Sequence, residues 1–182
     1  NYCELPATSK IVINEIMIDP MASADNYGEW MELHNSTSKP HDINWWVLAD
    51  KSGQSHDINN NGPLIVPAGG YVVLCRSKDK ALNGGIDCDY AYGSGYLLKN
   101  NGGVIVLKNS GYKVEDEVGF DGGPNFPNPE GASIGLTNPS KNNAVGANWK
   151  TSTTKLPGNT DFGTPGVQND DVYSIIEVAK CQ

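Results

Sequence analysis

The chain has 182 residues, with 13 Lys and Arg against 21 Asp and Glu, so its formal net charge is −8. This length suits one domain better than two, and a hydrophobic content of 38% excludes a disordered chain. Because non-specific nucleic-acid binding depends on Lys and Arg that neutralise phosphates, no nucleic-acid partner is expected. No apolar run approaches the ~20 residues that a membrane-spanning helix needs, so no transmembrane segment is predicted.

Apolar residues recur with the two-residue period of β-strands, and the longer period of an amphipathic helix is absent from the sequence. Residues 10–18 are apolar on both faces, which predicts a strand in the middle of a packed sheet. Further strands are predicted, in chain order, at 29–34, 43–50, 71–76, 97–99, 104–108, 113–120 and 132–136. Seven to nine short antiparallel strands separated by Gly- and Pro-rich turns predict an all-β sandwich.

Two local features accompany these strands. The turn Asn109-Ser110-Gly111 is typical of a hairpin, in which Gly111 is expected to supply a positive φ. The four tryptophans are expected in the core, but neighbouring side chains of a strand point to opposite faces. One of the adjacent Trp45 and Trp46 is therefore expected on the surface, where an exposed Trp favours contact with a glycan or a protein.

The four cysteines are Cys3, Cys75, Cys88 and Cys181, and their spacing does not fit a zinc site. Of the three possible pairings, the most economical joins Cys75 to Cys88 across a Gly- and Asp-rich loop and Cys3 to Cys181 across the two ends of the chain. The alternative is four unpaired buried thiols. Disulfides form in oxidising compartments, so the favoured pairing predicts a secreted, extracellular protein in which residues 170–182 are tied back to the N-terminus.

Six segments, in a fixed order, resemble the pattern of the lamin tail domain. The pattern reads INE, WxELxN, dLsgWxLxD, paGgyvvl, a Gly-containing hairpin and TPGxxN. The matching segments are Ile13-Asn14-Glu15, Glu29 to Asn35, Asp42 to Asp50, Pro67 to Leu74, Leu98 to Val118, and Gly163 to Gly166 with Asn169. The resemblance covers about residues 10–169 and implies an immunoglobulin-like β-sandwich that forms a single domain within 1–182.

The resemblance also bears on function. In secreted proteins such domains are accessory modules, and in nuclear lamins they are partner-binding tails. The chain has no rod-like coiled coil, and its cysteines do not belong to the family pattern, which disfavours the nuclear branch. The polar motif residues Asn14, Glu32 and Asn35 are expected to hold turns through side-chain hydrogen bonds.

No catalytic constellation is evident, so the protein is predicted not to be an enzyme. Gly131-Ala-Ser133-Ile-Gly135 matches GxSxG by letter, but a nucleophile elbow needs a following helix, and Leu136-Thr-Asn-Pro139 excludes one. The histidines His34, His41 and His56 do not have metal-ligand spacing. A hydrolase with an unrecognised site is the weakest alternative. Asn35-Ser-Thr37 is a glycosylation sequon in a predicted turn.

Calcium is the one metal that the sequence favours. Asp57, Asn59 and Asn61, followed by Gly62, fit the first half of a calcium loop, in which alternate side chains converge on one ion. The position of the expected bidentate Glu is Ala68, so a carboxylate would have to come from another loop. The alternative is an ordinary polar turn. No other cofactor is expected.

Two functions from different classes remain. The first is a non-catalytic secreted interaction or adhesion module, which presents the loops at 23–28, 77–96 and 138–148 to an extracellular protein or glycan. The second is a calcium-associated structural or matrix protein, in which the acidic residues meet calcium or a calcium-bearing surface.

Overall fold

The structure is a computed structural model that describes residues 10–170. Within this range the chain forms twelve β-strands, one four-residue helix and two single 3₁₀ turns. In chain order the elements are β1 (Ile11–Met17), α1 (Asp25–Gly28), β2 (Trp30–Asn35), β3 (His41–Asp42), β4 (Val47–Ala49), β5 (Ser55–Asp57), β6 (Ile65–Val66), β7 (Tyr71–Cys75), β8 (Tyr90–Ala91), β9 (Gly103–Lys108), β10 (Val114–Phe120), β11 (Ile134–Leu136) and β12 (Trp149–Thr151), with the 3₁₀ turns at Gly93–Gly95 and Gly146–Asn148.

The strands form a six-stranded sheet, a four-stranded sheet and a two-stranded sheet. Their orders are β12-β11-β1-β2-β7-β8, β10-β9-β4-β5 and β3-β6. This arrangement confirms the all-β, immunoglobulin-like sandwich. The strand count exceeds seven to nine because several ladders have only two or three residues, too few to show an alternating pattern. One pair, β7 and β8, is parallel and departs from the antiparallel prediction.

Strand β1 lies in the middle of the large sheet, as its two apolar faces predict. All seven of its residues are buried, and it pairs with β2 on one side and β11 on the other. A β-bulge falls between Ile13 and Glu15, so Asn14 has no partner in the β2 register. The backbone N–H of Ile13 donates instead to Asp116 Oδ2 of β10, at 2.6 Å, which ties the two large sheets together.

The segment at 97–99 is not a strand. Leu98 is buried, but its backbone N–H donates to Glu29 Oε2 at 3.0 Å and not to a neighbouring strand. The apolar character of this segment therefore reflects the burial of Leu98 within a loop, not pairing in a sheet. This prediction was wrong because a short apolar run has no feature that separates a strand from a buried loop.

The β9–β10 hairpin forms where it was predicted, but a different residue takes the left-handed conformation. Tyr112 has φ of 62°, its N–H donates to the Asn109 carbonyl at 2.8 Å, and Gly111 does not have a positive φ. The Asn109 side chain accepts the N–H groups of Gly111 and Lys113, which closes the turn. The expectation for Gly111 was wrong because the position of the left-handed residue depends on the turn type.

Three tryptophans lie in the core and one is at the surface. Trp30, Trp46 and Trp149 are buried, whereas Trp45 is 55% exposed. Trp45 lies in a turn with φ of 64°, and its N–H donates to the Ile58 carbonyl at 2.6 Å. The prediction that one of the adjacent pair is exposed is confirmed, and the exposed one is Trp45. The reason given for it was wrong, because strand β4 begins only at Val47 and Trp45 lies in the turn before it.

Candidate functional site

The strand register brings several loops to one end of the sandwich. Met17 pairs with Trp30, which pairs with Cys75, so the loops that follow β1 and β7 leave the large sheet side by side. We call this the loop end and define it by the segments 18–29, 76–102 and 152–167. Two of the three loops expected to carry function, 23–28 and 77–96, therefore meet. The third, 138–148, lies at the opposite end, beyond the pairing of Leu136 with Trp149.

A disulfide closes the central loop of the loop end. Cys75 and Cys88 are bonded, with their Cα atoms 5.9 Å apart, as predicted from the sequence. Inside the loop, Asn83 is buried, and its side-chain nitrogen donates to the Ser77 and Ile86 carbonyls at 2.8 and 3.0 Å. We call residues 76–87 the disulfide loop. Its shape is held both by the covalent bond and by the Asn83 amide. Cys3 and Cys181 lie outside the described residues.

The segments 18–29 and 152–167 are hydrogen-bonded to the disulfide loop and also to each other. The Ser23 hydroxyl donates to the Leu82 carbonyl, and Asn159 Nδ2 donates to the Gly84 carbonyl at 2.8 Å. Asp161 is buried and accepts the backbone N–H groups of Met21 and Ala22 at 3.0–3.2 Å. The three segments therefore hold one another in place.

Two adjoining depressions lie between the disulfide loop and the segment 154–167. Their volumes are about 550 and 340 Å³, and Gly84, Gly85 and Pro157 line both of them. The larger also has Lys80 and Asn159 in its wall, whereas the smaller has the apolar side chains of Ile86, Leu156 and Val167. Together they form an open groove with a polar half and an apolar half.

A third pocket, of about 390 Å³, lies on the other side of the disulfide loop. It is lined by Asn26, Tyr27, Arg76, Ser77, Gly93 and Ser94. The Arg76 side chain is only 9% exposed, and its Nη1 lies 3.3 Å from Glu29 Oε2. Burial of Glu29 raises the pKa of its carboxyl group to about 7, although Leu98 and Arg76 act in the opposite direction. We call this cavity the Arg76 pocket.

A pair of carboxyl groups, Glu15 and Glu32, lies inside the large sheet. Glu15 accepts the N–H and hydroxyl groups of Thr164, both at 2.8 Å, and Glu32 Oε2 accepts the Gly166 N–H at 2.6 Å. Burial raises the pKa of Glu15, and burial together with the nearby Glu15 raises the pKa of Glu32 to about 9. The two groups fasten the segment 163–169 across β1 and β2.

The other polar motif residues are also structural. Asn14 Nδ2 donates to Glu32 Oε1 at 2.7 Å, across the space that the bulge in β1 creates. Asn35 is fully buried, and its side-chain nitrogen donates to the carbonyls of Lys39, Val66 and Pro67. The interpretation as holders of turns is confirmed for Asn35 and Glu32, which bond to backbone groups. It is wrong for Asn14, whose amide donates to the side chains of Glu32 and Asn169 inside the sheet. The contacts of Asn35 leave the Asn35 nitrogen of the sequon inaccessible to a glycosylating enzyme in the folded chain.

The arrangement around Ser133 does not form a nucleophile elbow. Ser133 is fully buried, its hydroxyl donates to Glu15, and strand β11 follows it, not a helix. Within residues 10–170, the Ser133 hydroxyl is hydrogen-bonded to Glu15, Ser152 and Phe162 and to no histidine. His56 Nε2 instead lies 2.8 Å from the Tyr90 hydroxyl, on a different sheet.

The residues predicted to bind calcium lie on the turn after β5. Asp57 ends the strand and is exposed, whereas Ile58 between it and Asn59 is buried. Asn59 Oδ1 accepts the Asn61 N–H at 3.0 Å, and Asn61 has φ of 54°. Within residues 10–170, no group of three or more His, Cys, Asp or Glu side chains is placed to hold a metal ion.

The sequence carried little signal for several residues of the loop end. In the sequence, Asn83 followed by Gly84 and Gly85 predicts only a turn. A charged residue such as Arg76 is expected to be exposed to solvent. Their buried positions depend on the packing of loops that are distant in sequence. Glu29 and Glu32 could have been found from the sequence, because a carboxyl group within an otherwise apolar strand pattern indicates a buried polar residue.

No helix among the described residues is long and apolar enough to cross a membrane. No curated protein sequence matches the chain. A family model, the Lamin Tail Domain, matches residues 4–154. The match ends before the segment 163–169, which the structure nevertheless joins to β1 and β2 through Glu15 and Glu32. Since the match spans most of the chain and the sandwich agrees with it, the protein belongs to the lamin tail domain family.

Proposed function

We propose that this protein is a secreted, non-catalytic interaction module that binds an extracellular glycan or protein through the loop end. One observation carries the proposal: the disulfide loop is held in one shape by Cys75–Cys88 and Asn83, and it walls cavities on both of its sides. Binding residues commonly lie on loops that a rigid scaffold positions.

The physical advantage of such a loop lies in its order before binding. A flexible loop loses conformational entropy when a partner binds, about 0.5–1.5 kcal/mol for each immobilised side chain. Here the bonds from Ser23 to Leu82 and from Asn159 to Gly84 already order the loop during folding. A partner therefore meets a preformed surface.

The buried carboxyl groups support a non-catalytic function. Glu15 and Glu32 have the raised pKa values common at active sites, but hydrogen bonds from the segment 163–169 occupy them beneath the surface. Membership of the lamin tail domain family is consistent with an interaction module. The net charge of −8 argues against non-specific nucleic-acid binding, which needs many Lys and Arg residues along the phosphate backbone.

The proposed compartment rests on the cysteines. A disulfide at the base of an exposed loop persists in an oxidising environment, and Cys75–Cys88 has this position. Secretion of the chain with this bond intact, shown by mass spectrometry of the protein from its native source, is the expected result.

The test is a binding screen against extracellular glycans and purified matrix proteins, followed by exposed substitutions at both ends of the sandwich. Tyr27→Ala and Leu82→Ala change the loop end, and Tyr112→Ala is the matched control at the opposite end. We expect binding to weaken at least tenfold with one of the first two variants and to stay unchanged with the control. A screen without any ligand, or a loss caused by Tyr112→Ala alone, would overturn the proposal.

A further inference from the structure

The Arg76 pocket contains a buried guanidinium that forms an ion pair with one carboxyl group, that of Glu29. Arg76 Nη1 lies 3.3 Å from Glu29 Oε2, and the Arg76 backbone N–H donates to the Glu29 carbonyl at 3.0 Å. The Nε atom is buried and has no hydrogen-bond partner in the described part of the chain. A guanidinium has five N–H donors in a planar fork, so the Nη donors that Glu29 does not use are left for a group in the pocket.

Glu29 neutralises this charge only in part. Its Oε2 atom is shared, because the Leu98 backbone N–H donates to the same oxygen at 3.0 Å. Burial also disfavours the ionised form of this carboxyl group, which has its pKa raised to about 7. The nearby Asp25 accepts a hydrogen bond from Asn100 Nδ2 at 3.2 Å and lies in the helix that borders the pocket. A buried guanidinium with incomplete compensation favours an anionic ligand.

The rest of the wall is polar, with one aromatic ring. Tyr27 is 43% exposed, and the side chains of Asn26 and Ser94 have no hydrogen-bond partners among residues 10–170. The Ser77 hydroxyl accepts the Asp79 N–H and keeps its own proton for a further acceptor. These groups match a ligand with several hydroxyls and one flat face.

We propose that the Arg76 pocket binds a hexuronate unit of an acidic extracellular glycan. This inference rests on the proposed function and specifies its ligand. The guanidinium of Arg76 pairs with the sugar carboxylate, the ring of Tyr27 packs on the sugar face, and Asn26 and Ser94 bond to its hydroxyls. An acidic peptide is disfavoured because the six lining residues include no aliphatic side chain that would form a pocket for neighbouring residues of a peptide.

The experiment is isothermal titration with oligogalacturonate, with a carboxyl-reduced oligomer of the same length and with poly-glutamate. Tyr27→Ala and the double variant Asn26→Ala with Ser94→Ala change exposed groups only, and Tyr112→Ala is the matched control for the loss of an exposed ring. Arg76→Lys keeps the charge and removes the planar fork. Thermal melting of every variant reports whether it has kept its fold.

We expect wild type and Tyr112→Ala to bind the native oligomer, and the reduced oligomer to bind at least tenfold more weakly. Tyr27→Ala, the double variant and folded Arg76→Lys should each lose tenfold or more. Equal binding of the reduced oligomer, or no effect of the exposed variants, overturns the Arg76 pocket as a uronate site. Tighter binding of poly-glutamate than of the oligomer assigns the site to an acidic peptide. Neutral ligands that bind the groove instead would leave the proposed function standing and refute only this inference.

Discussion

Trp45 and Trp46 are adjacent residues with opposite environments. Trp46 is buried, whereas Trp45 is 55% exposed and takes a φ of 64°, a conformation that costs an ordinary side chain roughly 1–2 kcal/mol. We expect Trp46→Ala to lower the free energy of unfolding by about 3–5 kcal/mol, as for other large core residues. Trp45→Gly should change it by less than about 1 kcal/mol, because relief of the positive φ offsets the greater flexibility of glycine. Urea denaturation measures both, and equal losses would contradict the assignment of Trp46 to the core.

The calcium site at Asp57, Asn59 and Asn61 stays a prediction. If these residues bind the ion, added calcium should raise the melting temperature, since a ligand that binds only the folded state stabilises it. Asp57→Ala should abolish this rise, whereas Glu130→Ala, which removes an exposed carboxylate elsewhere, should leave it intact. The measurement is thermal melting with calcium and with a chelator. A melting temperature that does not depend on calcium refutes the site.

At the scale of elements, the disulfide loop depends on the bond at its base. Replacing both Cys75 and Cys88 by Ala should lower the free energy of unfolding by about 3 kcal/mol, the chain-entropy value for a loop of this size. Ligand binding at the loop end should weaken as well, because the loop would then pay the entropy of ordering. The paired substitution is more specific than a reductant, which would also reduce any disulfide that Cys3 or Cys181 forms.

Chemical denaturation and the binding titration provide the two readouts. Single replacement of Cys88 with Ser would leave Cys75 as an unpaired thiol, so the double variant is compared with the wild-type chain under non-reducing conditions. A double variant as stable as wild type would show that Asn83 and its neighbours hold the loop without the bond.

The whole molecule has an unusual source of pH dependence. Glu32 has its pKa raised to about 9, well above the usual carboxyl value near 4.5. Between these values the folded chain holds a proton that the unfolded chain has released, so stability falls as the pH rises. Glu29, with a pKa of about 7, acts in the same direction over the lower part of this range. The lowered pKa values of His34 and His56 act in the opposite direction below about pH 6.5.

We therefore expect the free energy of unfolding to fall between pH 7 and 9, at up to about 1.4 kcal/mol per pH unit. Urea denaturation across this range measures the slope. Glu32→Gln should flatten the slope, even though its amide must face the donors Asn14 and Gly166 and costs stability at every pH. A wild-type profile that is level or rises between pH 7 and 9 would contradict a protonated Glu32.

The sequence alone determined the features that depend on neighbouring residues. Two-residue periodicity located the main strands, and the motif order identified the family, because both depend only on residues that are close together in the sequence. The Cys75–Cys88 pairing also followed, because the two residues flank one short loop. The two wrong predictions, a strand at 97–99 and a positive φ at Gly111, also concern local structure. Each failed because the same residues allow two backbone conformations.

The tertiary structure decided everything that depends on pairing between distant segments. The bulge at Asn14, the burial of Arg76 beside Glu29, and the meeting of the loops 23–28 and 77–96 follow from strand order and register. Trp45 is an intermediate case, since the family pattern quoted above has glycine at its position and only the backbone φ explains why. Patterns along a chain specify which residues are apolar, whereas a functional surface depends on which loops the packed sheets bring together.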